Sequence, residues 1–290
     1  MKIDITGKRA IVAGGSRGIG RAIALAFAEA GAGVSICARG AEALTATREE
    51  IARHDGVAHA AVCDLSDEAA IPRYIEEAAA ALGGIDILVN NASGFGTSDD
   101  EAGWATSISV DLLATVRASR AALPFIEKSD AGAILNISSI SGLRATPRTP
   151  PYAAVKAAVI EYTLTQAAAL ARKGIRVNGI APGSIEFPGG TWARAKTNNP
   201  DLYGRILSSI PFGASRPPRG NRSGRTLSVL TARQLGDRPK YSRRRRADAL
   251  SSRTYRLIRT GRKLAGAFGG DLAEGALPKR PPIILMLNRN

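Results

Sequence analysis

At 290 residues the chain has room for one large domain or two small ones, and a hydrophobic fraction of 44% is ample for a core. Two cysteines (Cys37 and Cys63) and two histidines (His54 and His59) are too few for a disulfide framework and poor material for a metal site. No apolar run reaches the length of a membrane span, and the N-terminus lacks a signal-peptide pattern, so a cytoplasmic location is expected. Both cysteines sit in apolar strand-like runs and read as buried free thiols. The net charge of +15 would indicate a nucleic-acid partner if it were spread along the chain. It is not: residues 1–213 carry 21 Lys/Arg against 21 Asp/Glu, and residues 214–290 carry 19 against 4. Two segments follow, a neutral body over 1–213 and a basic tail over 214–290.

Taken in chain order, the body alternates short β-branched runs with amphipathic stretches. Strands are expected at 9–13, 34–38, 58–63, 85–90, 133–138 and 176–181, with helices near 18–30, 41–54, 67–82, 101–127 and 152–172. Short apolar strands separated by helices predict a Rossmann-type, doubly wound α/β fold, with a parallel sheet between two helical layers. Ligands then gather beyond the carboxyl ends of the strands.

The first strand runs into Gly14-Gly15-Ser16-Arg17-Gly18-Ile19-Gly20, and a helix follows. Such a loop lets the backbone approach a pyrophosphate, and the free N–H groups of the helix start face it. On its own the same spacing also describes a plain strand-to-helix turn. The second strand adds discrimination. A carboxylate at its end would favour NAD, but Ala38-Arg39 stands there, with Arg17 in the loop. Two guanidinium groups suit a 2′-phosphate, so NADP(H) is expected over NAD(H). Asp64, followed by Leu65, is placed to accept from an adenine amine. Asn90, Asn91 and Ala92 end the fourth strand, where small and amide residues can line the cofactor.

The fifth strand ends in Asn136-Ile137-Ser138-Ser139, and Tyr152 and Lys156 open a long helix on one face, four residues apart. An ammonium one turn away favours a phenolate. Ser139 supplies a donor for a substrate oxygen. Together they make a general acid/base, an electrostatic tuner and an orienting group.

With these motifs in order (Gly14, Gly18 and Gly20; Asp64; Asn90-Asn91-Ala92; Ser139; Tyr152 and Lys156; Pro182-Gly183), residues 1–213 resemble the short-chain dehydrogenase/reductase family, most of all 3-oxoacyl-carrier-protein reductases and their relatives. The resemblance implies Tyr152 as proton donor or acceptor, Lys156 on the nicotinamide ribose, Ser139 polarising the carbonyl, Pro182 and Gly183 against the cofactor, and a homotetramer or homodimer. It also exposes departures. Ala13 replaces the usual threonine before the first glycine, and Ser93 replaces the glycine after Asn-Asn-Ala. Asp111 stands where the family's fourth catalytic member is an asparagine; it can still offer its backbone carbonyl to a relay water, while its charge can pair with Lys156. Phe187 occupies the place of a threonine that often meets the nicotinamide amide. The substrate's shape is expected to be set by 94–103, 143–151 and 184–207, and in the last of these Phe187, Trp192 and Tyr203 either line an apolar pocket or pack a lid helix. The expected activity is hydride transfer between NADP(H) and a small-molecule carbonyl or alcohol. A nucleic-acid binder acting through the tail and a non-catalytic dinucleotide binder are the alternatives.

The tail departs from the family, whose last strand is missing from its sequence. Back-translated and read one nucleotide later, Ala214–Arg222 yields RLGRPEEIA, the continuation the family implies. The same shift over 235–250 permits WVTGQSIVVDGGQTL and then a stop. Free wobble letters allow about four residues per position, so the force lies in two runs agreeing in one frame. A one-nucleotide insertion near the Gly213/Ala214 codons is the resulting expectation.

Overall fold

The computed structural model describes residues 4–208 and the backbone of 284–287. Seven elements alternate from the start: β1 (Arg9–Ala13), α1 (Gly18–Glu29), β2 (Gly33–Ala38), α2 (Ala41–Ile51), β3 (Ala58–Val62), α3 (Ala70–Leu82) and β4 (Ile87–Asn90). The segment expected as one helix over 101–127 is three pieces: α4 (Glu101–Thr106), a π-helical stretch Ser107–Leu113, and α5 (Ala114–Ile126). Then come β5 (Ala133–Ile137), a 3₁₀ turn Ile140–Leu143, α6 (Pro150–Leu170), β6 (Arg176–Pro182), α7 (Thr191–Asn198) and α8 (Pro200–Ser208). Helix α6 begins two residues before the expected 152, because prolines are accommodated in a first turn whose N–H groups are unpaired anyway.

All strand pairs are parallel, in the order β3-β2-β1-β4-β5-β6-β7, where β7 is Ile284–Leu287. The edge that the sequence leaves without a family strand is thus taken by a short segment from the end of the tail, paired Gly179 to Ile284 through Pro182 to Leu287. The rest of the tail, including the proposed shift in frame, lies outside the described residues.

Neighbouring residues of a strand face opposite layers. Ile11, Leu88 and Ile134 join a core with Ile71, Ile75 and Leu82 of α3 and Ala118, Ala122 and Ile126 of α5. Val12, Val89 and Leu135 join the other core, with Ile23, Ala24 and Ala28 of α1 and Leu44 and Ile51 of α2. The chain leaves β3 at one edge and returns to the far side of β1 as β4, so the carboxyl ends of β1 and β4 open a crevice.

Candidate active site

A cavity of about 740 Å³ occupies that crevice. At one end Gly14, Ser16, Arg17, Gly18 and Ile19 form its floor. Gly14 holds φ +80°, and a Cβ there would come within 2.8 Å of the Ala92 Cα. Gly20 does not line the cavity. It lies behind the loop, where a Cβ would overlap the Gly14 carbonyl oxygen and the Asn91 amide. Asn91 Nδ2 donates to Gly14 O at 2.8 Å, so the end of β4 straps the loop in place. Helix α1 has no capping side chain and no acidic residue in its first turn, leaving its opening N–H groups for an anion. This cradle fits the pyrophosphate of a dinucleotide.

Arg39, Asp64 and Leu65 line the cavity beyond the ends of β2 and β3. The Ser66 backbone N–H and hydroxyl donate to Asp64 Oδ1 at 2.9 and 2.8 Å and, with the nearby Arg39 charge, hold the carboxyl below its ordinary range. Ala92, Pro182 and Gly183 also line the cavity. Asn90 does not join Asn91 on the cofactor side as its place at the end of the fourth strand leads one to expect: it points into the core, donating to Ser119 Oγ at 3.0 Å and Asn136 Oδ1 at 2.8 Å. Asn90 is the last residue of β4, so the sheet's alternation fixes its side, whereas Asn91 follows the strand and turns to the crevice.

At the other end stand Ser139, Tyr152 and Lys156. Ser139 Oγ accepts from the Ser141 N–H at 3.1 Å, which leaves its own proton to donate. Ser138 Oγ donates to Lys156 O at 2.7 Å, fixing the first turns of α6 against the end of β5. Lys156 Nζ lies 5.6 Å from the Tyr152 ring centroid, donates to Ile137 O at 3.0 Å and pairs with Asp111 Oδ1 at 2.9 Å. Burial would lower the Lys156 ammonium, but the Asp111 carboxylate and the Tyr152 oxygen reverse this and hold it above its ordinary value. Asp111 is fully buried beneath the cavity rather than on its wall. Its other oxygen accepts from the Gly94 N–H at 3.0 Å, and its carbonyl accepts from Thr115 Oγ1 at 3.0 Å.

Phe187 and Trp192 line the cavity, whereas Tyr203 does not: its hydroxyl donates to Glu186 at 2.7 Å. The Phe187 ring rests against Gly18, 2.8 Å from where a Cβ would stand. Within 94–103, which is expected to shape the substrate site, the residue that does so is one the sequence does not name: the Phe95 ring meets that of Tyr152 edge-on, centroids 4.9 Å apart. Cys37 and Cys63 are free and buried. Among the described residues no group of three or more His, Cys, Asp or Glu could hold a metal, and no helix is long and apolar enough to cross a membrane.

The short chain dehydrogenase family profile matches residues 8–198. The 3-oxoacyl-[acyl-carrier-protein] reductase FabG of Chlamydia trachomatis is 35% identical over 217 residues, covering 72% of this chain and 84% of that one. Among solved structures, the RhlG/NADP active-site complex of Pseudomonas aeruginosa is similar at TM-score 0.67 and 32% identity, covering 75% and 86% of the two chains. An NAD+-bound xylitol dehydrogenase is similar at TM-score 0.66 and 28% identity, covering 71% and 85%.

Proposed function

The chain belongs to the short chain dehydrogenases, and from that premise we propose that it is an NADP(H)-dependent oxidoreductase moving a hydride between the nicotinamide and a carbonyl or alcohol. The observation that carries this reading is one cavity with the glycine loop, Arg17 and Arg39 at one end and Ser139, Tyr152 and Lys156 at the other. When bound, the nicotinamide gives or takes the hydride. The remaining work falls to side chains. Ser139 donates to the substrate oxygen, Tyr152 Oη delivers or removes the proton, and the Lys156 ammonium supplies positive charge beside the phenol. Asp111 anchors that ammonium.

The preference for NADP(H) over NAD(H) rests on Arg17 and Arg39 and on the missing carboxylate after β2. The NADP complex of a similar protein supports it, although the NAD+-bound relative shows that the fold accepts either. The substrate is a small molecule, a 3-oxoacyl thioester or a ketone. We assign residues 1–213 as the catalytic body and 214–290 as an appended basic tail, with a homodimer or homotetramer as the family's form of assembly. A nucleic-acid role is not favoured, because the body that carries the site is neutral in net charge.

The test is consumption of NADPH and NADH over a panel of β-ketoacyl thioesters, cyclic ketones and sugars. NADPH should be used in preference to NADH. Tyr152→Phe should lower turnover by at least about a hundredfold, the usual contribution of a general acid, with no change in melting temperature. Turnover that survives Tyr152→Phe would discredit the mechanism.

A further inference from the structure

Phe95 carries two costs at once. Among the described residues it is the only non-glycine with positive φ, at 53°, and it leaves a large apolar side chain 44% exposed. A left-handed conformation in a bulky residue persists only where its surroundings impose it, and such strain gathers at functional sites. The surroundings here do impose it. The Gly94 N–H is held by Asp111 Oδ2 at 3.0 Å, the Phe95 N–H by Ser93 Oγ at 3.2 Å, and the Gly96 carbonyl by Ser107 Oγ at 3.1 Å. Two of these anchors, Ser107 and Asp111, lie in the π-helical stretch. The Asp111 carboxylate therefore holds the loop with one oxygen and Lys156 with the other. An asparagine there would offer a single acceptor oxygen and no charge to pair with the ammonium.

The outcome is an exposed ring that lines the cavity with the Tyr152 phenol as its neighbour. Val110, Ile185, Phe187 and Trp192 line the same cavity. Arg17, Arg39 and Asp64 stand by the glycine loop and at the ends of β2 and β3, Lys156 is paired with Asp111, and Arg194 reaches the cavity from α7 while donating to the Gly189 carbonyl.

We propose that Phe95 is a specificity-determining residue, an apolar wall beside Tyr152 that selects uncharged ketones or secondary alcohols carrying a ring or an extended hydrocarbon body over small polar carbonyls. This rests on the carbonyl/alcohol reading above. Asp111 contacts both sides of this arrangement, the Gly94 N–H before Phe95 and the Lys156 ammonium.

The test compares full-length wild type, Phe95→Gly and Phe95→Tyr, each loaded with NADP. Binding of a bicyclic ketone (decalone) and of acetone is measured by calorimetry, alongside the ratio of their kcat/KM values with NADPH. Wild type should prefer decalone. Phe95→Gly should lower that preference about tenfold or more, the worth of an apolar pocket contact, while Phe95→Tyr keeps it. The melting temperature of Phe95→Gly should not fall, because glycine relieves the left-handed strain. A wild type without preference for decalone, or a Phe95→Gly variant that keeps it or loses both ligands equally, would overturn the proposal. If wild type binds both ketones and consumes no NADPH, the proposed reaction fails, and the binding ratio still decides the role of Phe95.

Discussion

Asp86, 2% exposed, shows how a single buried carboxylate is kept ionised. Burial would raise it, but it accepts from Arg9 Nε and the Arg9 backbone N–H at 2.8 Å each and from Ser129 Oγ at 2.5 Å, and these contacts lower it to about 2 from an ordinary 3.8. A carboxylate with a depressed native value stabilises the fold above its unfolded value and loses that contribution as pH falls through the native one. The window is therefore 3.8 down to about 2. Asp86→Asn should cost about 2 kcal/mol at neutral pH, and its deficit against wild type in urea denaturation should shrink across that window. A deficit that stays constant with pH would contradict the assignment. Residues like Asp86 were not legible in the sequence, because their partners arrive from distant elements. Tyr152 and Lys156 were legible because helical geometry brings i and i+4 together, and because Ser139 and a glycine-loop sheet pattern precede a pair that is common on ordinary helices. Asn90 and Asn91 mark the boundary between the two cases. The sequence placed both at the end of a strand, but only the sheet decides which of the pair faces the crevice.

At the scale of elements, the glycine turn is the tightest joint. Gly20→Ala would drive a methyl group into the Gly14 carbonyl and the Asn91 amide that straps it. Overpacking of this kind costs about 1–3 kcal/mol, so a lower melting temperature and weaker NADPH binding in a fluorescence titration are expected. An alanine variant with wild-type affinity would show that the strap is dispensable. Strands were read well because their apolar runs are short and bounded. The break between α4 and α5 was invisible, since Ser107–Leu113 contains neither proline nor glycine to announce it. Its cause lies in three dimensions, where Asp111 in the π-helical stretch meets Lys156 and Gly94.

At the scale of the molecule, a body neutral in net charge over 1–213 is followed by a strongly basic segment over 214–290. We expect that deleting one nucleotide near codons 213 and 214 yields a protein that melts higher and oxidises NADPH faster than the present chain. Equal stability and activity in the two versions would refute this. The sheet order carries a consequence of its own. β1 and β4 are central, and each supplies alternate side chains to both cores, Ile11 and Leu88 to one, Val12 and Val89 to the other. The half that would grip the dinucleotide and the half that would perform the chemistry meet along the seam between these two strands, so we expect a ligand gripped at the glycine loop to steady the Tyr152 side of the sheet as well.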